Sequence, residues 1–286
     1  MTYDPARQDF RPPAAGPPTP GVARSIAMSS SSTPRWRSPL VWRVAQWLAR
    51  GAIALVARLE VTGDIPAELR DGPLILAGNH IGPFDPIPIG AATGLIGVHP
   101  RIMATGGLFR APVIGQLMRA GGHIRVNRTR VDPSEPAAGA AVDDALAALA
   151  AGSVVFGYPE GRITLDPHLW PERGKTGLAR LALATNVPVV PVAQWGSHEV
   201  LPYSAPTGMW PAIWASMRHR RTIRVHFGAP VDLSGLVLGR PGDALRATDR
   251  IIAAVRDTLV PLRADEPGAP RHHDPTRPVD TTRTFR

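Results

Sequence analysis

The 286-residue chain has no cysteine. That excludes disulfides, thiolate metal ligands and a cysteine nucleophile, and it suits a reducing compartment. Aromatic residues are scarce, at 6%, and no basic-aromatic motif suggests nucleic acid as a partner. Lysine is nearly absent: Lys and Arg together number 32, yet the only lysine is Lys175. The single lysine to survive this bias is a candidate for a place where a guanidinium does not fit. No signal-peptide core follows the start. The longest uncharged stretch of the tryptophan-rich N-terminal segment, 51–57, is far too short to span a bilayer. No Gly-x-Ser-x-Gly elbow is present, and Ser197, in Gly196-Ser197-His198, is a poor substitute for a serine nucleophile. Nor does a further His or carboxylate cluster accompany His80 and Asp85 to make a metal site.

What is present is charge of one sign. The net charge is +9 and the pI about 11.2, which favours anionic lipid or phosphorylated substrates as partners. Residues 1–34 and 265–286 are polar and Pro-rich without periodicity and are expected to be disordered. Met28, just before Ser29-Ser-Ser-Ser-Thr33, is a candidate initiator. Residues 35–58 interleave Trp36, Trp42, Trp47, Leu40, Leu48, Ile53 and Leu55 with Arg37, Arg43, Arg50 and Arg58. This pattern predicts an amphipathic helix, either docked in a membrane interface or packed on the core with its arginines in water. From 59 to 264, apolar β-branched runs at 59–62, 74–77, 101–103, 124–127, 153–158, 188–193 and 222–227 alternate with helical patterns at 108–120, 135–151, 176–185 and 244–262. Such alternation predicts a single α/β domain with a mixed, largely parallel sheet flanked by helices.

His80 and Asp85 stand out, in Gly78-Asn79-His80-Ile81-Gly82-Pro83-Phe84-Asp85. Histidine takes a proton near neutral pH, and a carboxylate on its other ring nitrogen fixes the tautomer and stabilises the cation. On a helix, positions five apart diverge by about 140° and could not meet. Gly82-Pro83 instead forces a turn. The apolar run ahead of it reads as a buried strand, so the histidine falls at a strand end and the aspartate at the start of the next element.

After the strand at 153–158 comes Pro159-Glu160-Gly161-Arg162, where open α/β sheets bind ligands. Glu160 can hydrogen-bond hydroxyls and Arg162 can grip phosphate with two donors. Lys175 opens a helix at Gly174-Lys175-Thr176-Gly177. This is not a nucleotide phosphate loop, because Trp170 stands where its first glycine belongs. Arg128 lies just past the strand at 124–127. Val187-Pro-Val-Val-Pro-Val192 is an apolar strand with prolines at its ends.

In order and spacing, these four blocks resemble the glycerolipid acyltransferases, particularly the 1-acylglycerol-3-phosphate acyltransferases, over roughly 36–262. Asn79, His80 and Asp85 match the family's Asn-His-x4-Asp. Arg128 matches the arginine that ends its second block, Tyr158-Pro159-Glu160-Gly161 its Phe-Pro-Glu-Gly, and Val187–Val192 its Val-Pro-x-x-Pro strand. The chain departs from the pattern at Arg162 and Ile163, where the family has Thr-Arg, and at 104–107, where a lysine often precedes Leu-Phe-Arg.

The resemblance implies a catalytic pair in which Asp85 orients His80. His80 takes a proton from an acceptor hydroxyl, which attacks the thioester of acyl-CoA or acyl carrier protein. Arg128, Glu160, Gly161, Arg162 and Lys175 would bind the acceptor, with lysophosphatidic acid the default and a lysophospholipid or glycolipid the alternative. Backbone amides of the Gly82 turn are the expected oxyanion donors. No cofactor or metal is implied, and the expected location is the cytoplasmic face of the membrane, peripheral or monotopic. A non-catalytic membrane scaffold is the rival of a different class.

Overall fold

The computed structural model describes residues 36–70, 72–127, 140–266 and 272–283. The expected disordered region 1–34, Met28 and Arg128 lie outside the described residues. Seven strands form one sheet: β1 (Ala57–Gly63), β2 (Leu74–Gly78), β3 (Arg101–Thr105), β4 (Ile124–Val126), β5 (Val154–Gly157), β6 (Val189–Trp195) and β7 (Arg221–Phe227). Their spatial order is β1-β7-β6-β2-β5-β3-β4. Every pairing is parallel except β6 with β7. Each strand falls on one of the seven apolar runs.

Central strands β2, β5 and β6 are buried along their whole length, as a sheet covered on both faces requires. Alternation along them divides the core. Ile75, Ala77, Val155 and Val189 point to one face, covered by α6 (Ala140–Ala150), α7 (Gly177–Thr185) and α9 (Asp243–Leu259). Leu74, Leu76, Val154, Phe156, Val190 and Val192 point to the other, under Trp42 of α1 (Leu40–Val56) and Ile89 and Ala92 of α3 (Pro86–Leu95). The remaining helices are α2 (Ala67–Arg70), α4 (Gly106–Arg110), α5 (Pro112–Ala120) and α8 (Met209–His219).

Four departures from the sequence reading have physical causes. The helix expected over 108–120 is two, because Pro112 drives Ala111 into an extended conformation (φ −64°, ψ 133°) between α4 and α5. Helix α3 was not expected. Its Pro88, Ile89, Gly90, Ala91, Ala92 and Thr93 are all buried, so no polar face gives it a 3.6-residue period. The boundary placed between 58 and 59 falls inside β1, which follows α1 without a connecting residue. Helix α1 is packed on the domain through Trp42, Gln46 and Ile53, with Gln46 donating to Thr93 Oγ1 (3.0 Å) and to the Val98 carbonyl (3.2 Å).

The fourth departure is the C-terminal tail, expected to be disordered. Residues 272–283 hydrogen-bond to the domain: Asp280 N–H donates to the Leu165 carbonyl (3.1 Å) and Arg173 N–H to the Arg283 carbonyl (3.0 Å). The described part of the tail has Val279 exposed, and its attachment is polar.

Candidate active site

Strand β2 ends at Gly78, whose lack of a side chain is required: a Cβ there would lie 2.7 Å from the Phe156 ring. Asn79 then continues the ladder with its side chain. Its Nδ2 donates to the Gln194 carbonyl (3.0 Å) and its Oδ1 accepts the Gln194 N–H (2.8 Å). This anchors the next residue, His80, at the C-terminal edge of the sheet.

The turn brings His80 and Asp85 together, with Nδ1 2.8 Å from Oδ2. Asp85 precedes α3 yet makes no side-chain cap bond there. Its carboxylate turns back instead. Oδ2 also accepts the N–H groups of Ile81 (2.6 Å) and Gly82 (2.9 Å), and Oδ1 accepts the Ser197 hydroxyl (2.6 Å). Four donors around a fully buried carboxylate hold it fixed, and with Nδ1 donating to Oδ2 the Nε2 atom presents its lone pair. The His80 side chain is 17% exposed, and no hydrogen bond reaches Nε2 among the described residues. Tyr158 stacks on the imidazole at 4.0 Å between centroids and 10° between planes, fixing the ring's plane. The arrangement places an imidazole nitrogen at the rim of the sheet. The Ile81 and Gly82 amides are committed to Asp85, which corrects the expectation that this turn supplies oxyanion donors.

The second loop departs further from the expected roles. Glu160 is fully buried and bridges backbone: Oε1 accepts His80 N–H and Oε2 accepts Glu172 N–H, both at 2.9 Å. Burial pushes its carboxyl up to about 8, with those amides pulling the other way. It holds the loop to the dyad and offers no oxygen to an acceptor hydroxyl. Arg162 is turned away from the phosphate role expected of it. Its Nε and Nη2 donate to the two oxygens of buried Glu172, both at 2.8 Å, and Nη2 also reaches Asp280 at 3.0 Å. These carboxylates raise its pKa above the ordinary guanidinium value. Gly161 has a left-handed φ of +70°, and a Cβ there would lie 3.1 Å from the Lys175 chain. Lys175 is exposed, with its N–H on the Pro159 carbonyl at 2.8 Å. Of the expected acceptor-binding set within the described residues, Lys175 alone combines a charged side chain, exposure and no carboxylate partner.

Residues 58–195 match the family model described as Acyltransferase. These residues are similar to acyltransferase-family domains. Curated relatives of the acyltransferase domain include uncharacterized proteins of Mycobacterium tuberculosis, 32% identical over 159 residues, and Mycobacterium leprae, 30% identical over 157. Each alignment covers 51% of this chain, and 39% and 38% of the respective relatives, so the chain spans about two fifths of their length. The fold is shared with the 1-acyl-sn-glycerophosphate acyltransferase PlsC of Thermotoga maritima. The TM-score is 0.57 at 19% identity, with 78% of this chain and 80% of that one aligned.

Around His80 and Asp85, several residues escaped the sequence reading. Ser197 was considered only as a nucleophile and is a hydrogen-bond donor to Asp85. Gln194 pairs with Asn79 from 115 residues away, and no local signal marks it.

Proposed function

We propose that this chain transfers an acyl group from a thioester donor, acyl-CoA or acyl carrier protein, to a lipid hydroxyl. The observation that carries the reading is His80 Nδ1 held on a buried, four-times-bonded Asp85 while Nε2 remains available. Nε2 removes the acceptor's hydroxyl proton as that oxygen attacks the thioester carbonyl. The tetrahedral adduct collapses, the C–S bond breaks, and the thiolate leaves with the proton from His80. Asp85 stabilises the imidazolium between these steps. A base so placed contributes about 10²–10⁴ in rate. No cofactor or metal takes part in this scheme.

The resemblance makes 1-acylglycerol-3-phosphate the first acceptor to test, with phosphatidic acid as product in phospholipid biosynthesis. Arg128 and Lys175 would bind its phosphate. A second reading is favoured by Arg162: two carboxylates already neutralise it, which suits a lysophospholipid or glycolipid hydroxyl without a terminal phosphate. Labelled acyl-CoA offered with a panel of both acceptor classes separates the two. Loss of transfer in His80→Ala is expected, and transfer retained by that variant overturns the assignment in favour of a scaffold.

The membrane surface is part of the same proposal. Helix α1 exposes Leu40, Val44, Trp47 (68% exposed), Leu48 and Leu55 beside Arg43 and Arg50. Next to it, α8 exposes Trp210, Trp214 (68%) and Met217, and Arg220 Nη2 donates to the Ala54 carbonyl of α1 at 3.0 Å. Exposed tryptophans flanked by arginines suit the interface of anionic lipid. Among the described residues no helix is long and apolar enough to cross a membrane, so the attachment proposed is peripheral or monotopic, on the cytoplasmic face.

A further inference from the structure

Asp274, Arg277, Asp280 and Arg283 recur every three residues in an otherwise polar, Pro-containing segment. Those four are partly buried while 275–276, 278–279 and 281–282 are exposed. The segment turns where the Arg277 N–H donates to the Asp274 carbonyl (3.2 Å), and each of the four makes a contact with the domain. Asp274 accepts the Tyr203 N–H. Arg277 donates from Nη1 to the Thr164 carbonyl (2.7 Å) and from Nη2 to the Ile81 carbonyl. Asp280 meets Arg162. Arg283 Nη2 donates to the carbonyls of Glu160 (3.0 Å) and Arg173 (2.7 Å).

The carbonyls chosen are those of the two site loops. Ile81 gives its N–H to Asp85 and its carbonyl to Arg277. Thr164 gives its N–H to the His80 carbonyl at 2.7 Å and its own carbonyl to Arg277. One planar guanidinium therefore joins the dyad turn to the loop that follows Glu160; burial lowers its pKa, against the attraction of Asp274 and then Asp85. Tyr203 supports the guanidinium from 5.2 Å. No described residue of 272–283 hydrogen-bonds to or stacks on the His80 ring, so the segment braces the dyad from the Asp85 side and leaves the base open.

We infer that residues 272–283 are a clamp required for turnover, with Arg277 a positioning residue that holds the Ile81–Gly82 turn, and hence Asp85 and His80, in register. The inference rests on the acyl-transfer reading for its kinetic readout and on hydrogen exchange for a readout independent of it.

Three forms of the chain test the clamp: Arg277→Ala, Arg277→Lys and a chain ending at Glu266. Arg277→Ala should lower kcat at least tenfold with KM within about threefold. Arg277→Lys should recover part of the loss, since an ammonium can serve at least one of the carbonyls. The shortened chain should behave like Arg277→Ala and regain activity when a peptide of residues 267–286 is added. In Arg277→Ala, the amides of Ile81, Gly82 and Thr164 should exchange at least tenfold faster, while those of β5 stay unchanged. Unchanged kcat in Arg277→Ala, or higher kcat in the shortened chain, overturns the proposal; the second result would make the segment an inhibitory strap. Should the shortened chain not fold, the point variants decide. Should the full chain transfer no acyl group at all, the functional reading fails, and unchanged amide exchange in Arg277→Ala would overturn the clamp separately.

Discussion

The turn from Asn79 to Asp85 closes largely on itself, whereas the loop from Glu160 to Lys175 is held from outside. In the turn, Asp85 takes the His80 ring and the Ile81 and Gly82 amides from within five residues. Ser197, Gln194, Glu160, Thr164 and Arg277 contribute from afar. In the loop, Arg162 reaches Asp280, 118 residues away, and the Glu160 carbonyl is met by Arg283, 123 residues away. The first region, which would carry the reacting group, is shaped mainly by local contacts and braced by Arg277. The second carries charges that would have bound substrate if free, but its strongest cation is spent on structure. An arginine one position from its expected place in a motif is therefore no guide to its role until its carboxylates are counted.

Substitutions at the turn should break chemistry and spare the fold. His80→Ala should lower acyl transfer by about 10³-fold or more with little change in the urea midpoint. Asp85→Asn should lose nearly as much, since an amide cannot accept from four donors and hold the imidazolium. An Asp85→Asn enzyme within tenfold of the parent would show that the carboxylate is dispensable.

Substitutions in the loop should do the reverse. Arg162→Ala leaves the buried Glu172 carboxylate with Arg283 as its nearest remaining cation, at 3.7 Å. Breaking such a pair costs about 3 kcal/mol, measurable by urea unfolding. If phosphate contact were the role of Arg162, KM for lysophosphatidate would rise and stability would hold. Ser197→Ala sits between the regions. It removes one hydrogen bond to an ionised carboxylate, worth about 2 kcal/mol, and should lower kcat several-fold while leaving KM near the parent value.

The smallest effect concerns pH. Burial lowers His198 to about 3 and His123 to about 4. Both are neutral in the fold and take protons near 6.5 when unfolded. The unfolded chain thus binds more protons below pH 6.5, and stability from these groups is lost as pH falls from 6.5 toward 4, by up to about tenfold in the folding constant per pH unit for each. Glu160 opposes this: its raised pKa favours the fold at low pH, a contribution lost as pH rises through about 8. Urea unfolding at pH 7 and pH 5 should show a smaller acid loss for His198→Phe than for the parent, and an equal loss would show that His198 does not titrate on unfolding.

All seven strands were legible in the sequence, because buried parallel strands are short apolar runs bounded by turns. The dyad was legible for a different reason: a Gly-Pro turn converts a five-residue spacing into a contact. What escaped notice has a common cause. Helix α3 is buried from Pro88 to Thr93 and lacks a periodic face. Asp280 and Arg283 pair with residues more than 100 positions away, and a tail with few apolar residues reads as disordered although hydrogen bonds and ion pairs dock it. The three-residue recurrence from Asp274 to Arg283 was the one local signal of that docking.

Helix α1 ends at Val56, and β1 begins at Ala57, a buried residue whose N–H still bonds the Ile53 carbonyl. There is no hinge between the helix and the sheet. A surface on which α1 lies would therefore set the attitude of the entire sheet, as a handle sets the angle of a blade. The height and tilt of His80 above that surface would be determined at one alanine, and a flexible insertion between Val56 and Ala57 would uncouple them without touching a single residue of the site.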